Sequence, residues 1–283
     1  MKKGFSLFSF SDSADISAAF QLIKDAGYDG VEPVMSEYGY INPCSTVREI
    51  IQIKKIADNI GIDIPSVGVW SLWENNLVSN HSSIRRKAID IIKKQMEIAS
   101  ILGADTILVI PGYVGCEFAL NPEHIRYDIA YDRAMEAFCR LSSEAEKSRI
   151  VIGIENVWNK FLLSPLEMRN FIDTVNSNYV GVYFDVGNII YNGYPEDWID
   201  ILGNRIKKVH LSDYRREQTG VGGFVDLFAG DVDFIAVTKA LKQIGYDNYL
   251  TVEILPNYKV FPEISVYSNK YAVNKICSLY NHI

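Results

Sequence analysis

The feature that most constrains this 283-residue chain is a regular alternation between short apolar runs and longer segments with helical spacing. Apolar residues at positions 16, 19, 20 and 23 lie on one helical face, and a new apolar run starts at Gly30. Arg149–Glu155 is a nearly continuous apolar run, which is typical of a strand buried on both faces. The pattern therefore predicts eight strands, each followed by a helix.

The predicted strands cover residues 7–10, 30–34, 64–70, 105–111, 149–155, 180–186, 206–211 and 250–255. The predicted helices cover residues 16–26, 46–60, 84–102, 122–147, 165–175, 195–202, 232–244 and 262–279. Parallel strands need crossover helices, so eight such units predict a single (β/α)8 TIM barrel that spans residues 1–283 as one domain. A doubly wound open sheet is the alternative, but residues 4–15 lack the glycine-rich phosphate loop that usually follows its first strand.

Composition excludes several classes of function. The net charge of −7 and the isoelectric point near 5.2 disfavour nucleic-acid binding, for which a pI above about 9 is typical. No run approaches the ~20 apolar residues of a membrane-spanning helix. Ser6 and Ser9 interrupt the N-terminal apolar residues, so we do not interpret the start as a signal peptide.

The cysteines show neither a disulfide framework nor zinc-finger spacing. They are far apart in the sequence and form no CxxC pair: Cys44, Cys116, Cys139 and Cys277. We therefore expect free thiols in a reducing compartment and a cytoplasmic protein.

Four ionisable residues stand near the ends of the last four predicted strands: Glu155, Asp185, His210 and Glu253. A carboxylate inside an apolar strand is costly unless it is paired or binds a metal. Each residue alone could be a salt-bridge partner or a strand-end cap. As a set, they predict one divalent-metal site that is rich in hard oxygen ligands, which suits Mn²⁺, Mg²⁺ or Co²⁺, with Zn²⁺ as a further candidate.

The segments around these residues resemble the xylose-isomerase-like TIM barrels, and within them the sugar and sugar-phosphate isomerases and epimerases. The resemblance covers essentially the whole chain and is strongest over residues 150–256. The motifs that carry it are Ile154-Glu155-Asn156, Phe184-Asp185-Val186-Gly187-Asn188, Lys208-Val209-His210-Leu211-Ser212-Asp213 and Thr251-Val252-Glu253-Ile254.

The resemblance implies a function and a role for each ligand. Glu155, Asp185, His210 and Glu253 would bind one divalent metal, and the two glutamates would be the catalytic acid/base pair. The implied reaction is ketose 3-epimerisation through a metal-stabilised cis-enediolate. Arg216, with Arg215 as the less favoured candidate, has the spacing of an arginine that contacts substrate oxygens in relatives.

Other residues carry weaker implications. Asn188 stands where non-phosphorylated ketose epimerases often have histidine, so the motif resembles the pentulose-5-phosphate and hexulose-6-phosphate branch, although Gly-Asn is also ordinary turn chemistry. Glu32, at the end of strand two, would be a carboxylate that either binds the substrate or supports a metal ligand from behind. Trp158, Trp70 and Trp73 would line a pocket or simply pack in the core.

Alternative functions remain open at this stage. An inosose-type dehydratase and a hydroxypyruvate-type isomerase use a similar site, and a sugar-binding barrel without turnover would keep the fold. The abasic-site endonuclease of this superfamily is excluded, since four histidines cannot supply its three zinc sites. The expected partner is a small sugar or sugar phosphate. Barrels of this group commonly pair, so a homodimer or homotetramer is compatible with the sequence.

Overall fold

Parallel strands of one continuous sheet surround the centre of the protein. The computed structural model describes residues 1–12, 14–117, 119–254, 258, 260–261 and 263–282. Within these residues the strands are β1 (Lys2–Ser6), β2 (Gly30–Glu32), β3 (Val34–Met35), β4 (Ser66–Val69), β5 (Thr106–Val109), β6 (Val151–Glu155), β7 (Val180–Asp185), β8 (Ile206–Leu211), β9 (Asp213–Tyr214), β10 (Phe224–Val225) and β11 (Tyr249–Val252). The order across the large sheet is β2-β1-β11-β8-β7-β6-β5-β4-β3, while β9 and β10 form a separate antiparallel pair.

Two of the nine strands in the large sheet are successive pieces of one predicted strand. Pro33 lies between β2 and β3, and proline has no N–H to contribute to a ladder. The Pro33 carbonyl still accepts a hydrogen bond from the Gly68 N–H at 2.8 Å, and the Val31 N–H donates to the Asp63 carbonyl at 2.9 Å. These bonds join the two ends of the sheet, so the predicted (β/α)8 barrel is confirmed as a nearly closed one.

Helices cover the outside of the barrel. In the described part of the chain they are α1 (Ile16–Asp25), α2 (Val47–Ile60), α3 (Ser82–Leu102), α4 (Tyr127–Ser148), α5 (Pro165–Val175), α6 (Gly187–Ile190), α7 (Pro195–Leu202), α8 (Phe234–Gln243) and α9 (Glu263–His282). The start of α2 shows why the sequence forms helices here, because Thr46 and Glu49 form a reciprocal capping box. Gly61 ends the same helix in the left-handed conformation, at φ 72°. Among the described residues, no helix is both long and apolar enough to cross a membrane.

The structure corrects the position of the first strand. Residues 7–10 were predicted as the strand, but β1 lies at Lys2–Ser6, where it pairs with both β2 and β11. Leu7–Ser9 instead forms a 3-10 turn, because the Ser6 hydroxyl accepts a hydrogen bond from the Phe8 N–H. The fourth predicted helix also begins later than residue 122, at Tyr127. Leu255 and Pro262, at the limits of two predicted elements, lie outside the described residues.

Candidate metal centre

The four ionisable residues of the last four barrel strands converge on one point. One ligand atom from each of them lies within 4.8 Å of the others, and the set is Glu155, Asp185, His210 and Glu253. The strands β6, β7, β8 and β11 are neighbours in the sheet, and Asp185 is directly in register with His210. Since the strands are parallel, their carboxyl ends open on the same face of the barrel. The topology therefore brings together the four residues that the sequence selected.

The carboxylates of this cluster are hard to ionise together. Burial, reinforced by the charge of Glu253, raises the pKa of Glu155 well above its usual value. The same two causes raise the pKa of Asp185 to about 7. Glu253 is the most exposed of the four, with 12% of its side chain accessible. A bound cation would offset this repulsion, so the donor set of three carboxylates and one imidazole fits a divalent metal ion.

One ring nitrogen of His210 faces the cluster, and the other contacts Glu32. Its Nε2 lies 2.8 Å from Oε1 of Glu32. Its Nδ1 lies 2.6 Å from Oε2 of Glu253, yet it has no hydrogen-bond partner, because the two groups are close but not aligned for one. Burial alone would lower the pKa of His210, but the charges of Glu32 and Glu253 hold it well above the usual value. A buried imidazole nitrogen that faces carboxylates without a hydrogen bond is oriented as a metal ligand would be.

Glu32 lies behind His210 and is fully buried. Its carboxylate also accepts hydrogen bonds from the hydroxyls of Ser6 at 2.8 Å, Ser66 at 2.6 Å, and Tyr183. Burial alone would raise the pKa of Glu32, but His210 and the hydroxyl donors together keep it below its usual value. This geometry favours the second of the two roles expected for Glu32, a carboxylate that orients a ligand. The sequence did not predict this role for Ser6, Ser66 or Tyr183, and the available signal was a hydroxyl side chain on each of three separate barrel strands.

Further polar contacts hold Asp185. The N–H of Asn188 donates to Oδ1 of Asp185 at 2.7 Å, and the Ser212 hydroxyl donates to the same oxygen at 2.8 Å. The Asn156 side chain pairs with the backbone of Asp185 through both its oxygen and its nitrogen. Nδ2 of Asn188 lies 3.4 Å from Oε1 of Glu155. Asn188 therefore contacts two members of the cluster directly.

A cavity of about 70 Å³ opens above the cluster, and its walls are mainly apolar and aromatic. Three of the four cluster residues border it, together with Asn188, Ser212 and aromatic side chains: Phe8, Trp70, Trp73, Trp158 and Phe224. The indole N–H of Trp158 donates to the Asn188 carbonyl at 3.0 Å, which fixes the ring against the site. The sequence is compatible with either a pocket or a core position for the three tryptophans, and the structure places all of them at the cavity.

The structure does not bring Arg216 to this cavity. The guanidinium of Arg216 lies 4.7 Å from the centre of the Tyr194 ring, in a separate exposed groove that Arg215 also lines. Lys160 forms an exposed ion pair with Glu117 at 2.7 Å. Among the described residues, the cavity lining contains neither lysine nor arginine.

Comparisons with known proteins agree with the fold. The family profile of the xylose isomerase-like TIM barrels matches residues 20–267. A putative L-ribulose-5-phosphate 3-epimerase of Haemophilus influenzae is 26% identical over 213 residues, which are 74% of this chain and 72% of the relative. An inosose dehydratase of Clostridium perfringens is 35% identical over 104 residues, or 31% of this chain and 34% of the relative. The crystal structure of D-psicose 3-epimerase from Clostridium cellulolyticum H10 matches with a TM-score of 0.81 at 17% identity, and covers 99% of both chains.

Proposed function

Because the chain belongs to the xylose isomerase-like TIM barrel family, we propose that this sugar epimerase or isomerase inverts the carbon next to the carbonyl of a ketose. The observation that carries the proposal is the placement of two glutamates, Glu155 and Glu253, at one cavity beside a third carboxylate and an imidazole. A 3-epimerase needs two groups that handle the same proton position from opposite faces of the substrate. Two carboxylates at one cavity supply them.

The two glutamates approach the cavity from different directions. Glu155 ends β6 and Glu253 follows β11, and the strands β7 and β8 lie between them in the sheet. We propose that a planar intermediate lies between them and presents one face to each carboxyl group. One carboxylate would take the proton from C3, and the other, in its acid form, would deliver a proton to the opposite face. Burial and the charge of Glu253 raise the pKa of Glu155, which favours the acid form that a proton donor needs.

The cluster residues Glu155, Asp185, His210 and Glu253 would hold the divalent metal. When bound, such an ion supplies Lewis-acid stabilisation of the negative charge that proton loss leaves on the substrate oxygens. Glu32 fixes the tautomer of His210 by occupying its Nε2, so that Nδ1 is directed at the cluster. The apolar walls of the cavity exclude water from the reacting carbon and strengthen the electrostatic interactions there.

We further propose that the substrate carries no phosphate group next to its reacting carbon. The motif at Asn188 favoured a phosphorylated substrate, but Asn188 is engaged with Asp185 and Glu155. Arg216 extends into a different groove, and no basic residue is found in the described lining of the cavity. A phosphate would have no cationic partner next to the cluster.

A dehydratase is the second candidate, since the inosose dehydratase of Clostridium perfringens is 35% identical to part of this chain. The same two carboxyl groups could remove a proton and protonate a leaving hydroxyl. The two activities differ in product, because epimerisation conserves all atoms of the substrate whereas dehydration releases water. Incubation of the protein with inososes, followed by mass spectrometry for loss of 18 Da, distinguishes them.

Hydrogen exchange at C3 tests the epimerase proposal. The manganese-loaded protein is incubated with free ketoses in D2O, and deuterium at C3 is followed by NMR. We expect exchange and a C3 epimer with the wild-type protein, and loss of both with Glu253→Gln or Glu155→Gln. Glu136→Gln is a matched control, because this exposed glutamate lies on helix α4, outside the cluster. Undiminished exchange in Glu253→Gln would exclude the assigned role of that residue.

A further inference from the structure

We propose that the substrate carries an apolar substituent, aryl or alkyl, at the end away from its carbonyl, and that a groove outside the catalytic cavity binds it. This inference rests on the proposed function, since it takes the cavity above the metal cluster as the place where the sugar reacts. The groove has a volume of about 610 Å³, compared with about 70 Å³ for the cavity. The groove therefore offers far more space than the cavity at the cluster itself.

The groove and the cavity adjoin each other. Four residues line both of them: Val157, Trp158, Asn188 and Val221. Trp158 is therefore a wall shared by the two spaces, and contacts with Tyr191 and Tyr214 hold its ring in place, with centroid separations of 5.8 and 5.1 Å. In the proposed binding mode, a ligand whose sugar contacts the cluster passes this ring and places its distal end in the groove.

The walls of the groove are predominantly apolar. Its further lining includes Phe161, Leu162, Leu163, Ile189, Tyr191 and Trp198. Leu163 and Tyr191 are 53% and 57% exposed, so the groove presents apolar surface to water in the absence of a ligand. Exposed apolar surface that borders a catalytic cavity is a feature of ligand-binding sites. An aryl or alkyl group bound against these walls would be removed from water together with the apolar side chains.

The backbone that forms one wall adopts an unfavourable conformation. Lys160 and Leu162 both have positive φ values, 56° and 52°, in the loop after β6. Such left-handed residues cost about 1–2 kcal/mol each, so the surrounding contacts must hold them. Asn159, fully buried, donates to the Gly112 carbonyl at 2.8 Å, and the Leu162 N–H donates to the Tyr127 hydroxyl at 3.1 Å. The wall is thus a fixed surface, as a preformed subsite requires.

The charges of the groove do not favour an anionic substituent. Lys160 is the basic residue among its described lining residues, and its ammonium is paired with Glu117, which also borders the groove. A phosphate group would have to displace this pair. An uncharged apolar group avoids that cost and matches the remaining walls.

Paired ligands test the proposal. Each member of a panel of ketohexoses is compared with its 6-O-benzyl ether, using calorimetric binding to the manganese-loaded protein and C3 hydrogen exchange. We expect the benzyl ether of the accepted sugar to bind at least tenfold more tightly than the sugar itself. Leu163→Ser should reduce this preference several-fold. Leu166→Ser is the matched control, because Leu166 is equally exposed, at 51%, but does not border the groove.

Each remaining outcome has a definite meaning. Equal or weaker binding of the benzyl ethers would overturn the groove assignment even if C3 exchange occurs. If the ethers bind preferentially and Leu163→Ser removes the preference, but no sugar exchanges hydrogen, the groove is supported and the epimerase proposal fails. Sedimentation of wild type and Leu163→Ser is measured in parallel. Loss of self-association in the variant, without a benzyl preference, would identify the groove as a subunit contact and overturn the proposal.

Discussion

Nε2 of His210 lies 2.8 Å from Oε1 of Glu32, and both side chains are completely buried. The two residues are 178 positions apart in the sequence. Their contact leaves Nδ1 of His210 directed at the three carboxylates of the cluster. A carboxylate behind a metal-binding histidine fixes the ring and its tautomer, and it makes the ligating nitrogen more basic.

Replacement of Glu32 should therefore weaken metal binding although Glu32 is not itself a ligand. We expect Glu32→Gln to lower Mn²⁺ affinity by roughly 10- to 100-fold, since the neutral amide supports His210 less well and adds N–H donors opposite the hydroxyls of Ser66 and Tyr183. Calorimetric titration with Mn²⁺ measures the effect, and Glu136→Gln serves as the control. An affinity within twofold of the wild type would show that Glu32 does not support the metal site.

Metal binding should stabilise the folded protein. Burial and mutual repulsion of the carboxylates raise the pKa of Asp185 to about 7, and a bound cation relieves this repulsion. At a Mn²⁺ concentration of 100 times the Kd, we expect the free energy of unfolding to rise by about 2.7 kcal/mol relative to the chelator-treated protein. Thermal unfolding with and without Mn²⁺ measures this. The shift should be much smaller for Glu155→Gln, and an equal shift in that variant would place the metal elsewhere.

Gly187 leaves room for Ser212, whose hydroxyl contacts Asp185. A Cβ at residue 187 would lie 2.3 Å from Oγ of Ser212, whose hydroxyl donates to Oδ1 of Asp185 at 2.8 Å. Gly187→Ala should therefore displace Ser212, destabilise the protein by about 1–3 kcal/mol and reduce Mn²⁺ affinity. Gly222→Ala is the control, because no heavy atom lies within 4 Å of a Cβ at that position. Chemical denaturation and metal titration report the two effects separately, and wild-type values for both would contradict the expectation.

Lys270 should make stability depend on pH in the alkaline range. Its side chain is 9% exposed, and burial, followed by the charge of Lys3, lowers the pKa of its ammonium to about 8. The ammonium donates to the Gly27 carbonyl and lies 4.7 Å from the centre of the Tyr28 ring. The unfolded chain, with a pKa near 10.5, binds the proton more tightly than the folded one. The contribution of Lys270 to stability therefore increases as the pH rises from about 8 towards 10.5.

Comparison with Lys270→Met isolates this contribution. Between pH 7.5 and 9.5, the free energy of unfolding of the wild type should rise relative to that of the variant by about 1 kcal/mol, after an allowance for solvent screening. Urea denaturation of both proteins across this range provides the measurement. The charges of Asp29 and Cys277 oppose the shift and are common to both proteins. A difference that stays constant or falls with pH would contradict the prediction.

The sequence alone determined the barrel and the four residues of the cluster. Strand and helix periodicities are local properties, and eight alternating units have few ways to bury their apolar faces. Once the strands are parallel, their carboxyl ends must share one face, so Glu155, Asp185 and His210 could be grouped without coordinates. The sequence predicted element boundaries less well where local hydrogen bonds determine them. At Ser6, the hydroxyl accepts a hydrogen bond from the Phe8 N–H, so Leu7–Ser9 forms a turn and does not extend β1.

Only the tertiary structure decided what surrounds the cluster. The contact between Glu32 and His210 depends on the register of strands far apart in the chain, and the direction of Arg216 depends on its packing against Tyr194. The same holds for the aromatic walls and for the groove beyond Trp158. Sequence spacing places a residue near the end of a strand, but the direction of its side chain is set by neighbours from other parts of the chain. The four residues of the cluster could thus be selected from the sequence, whereas the shape and charge of the neighbouring cavity required the fold.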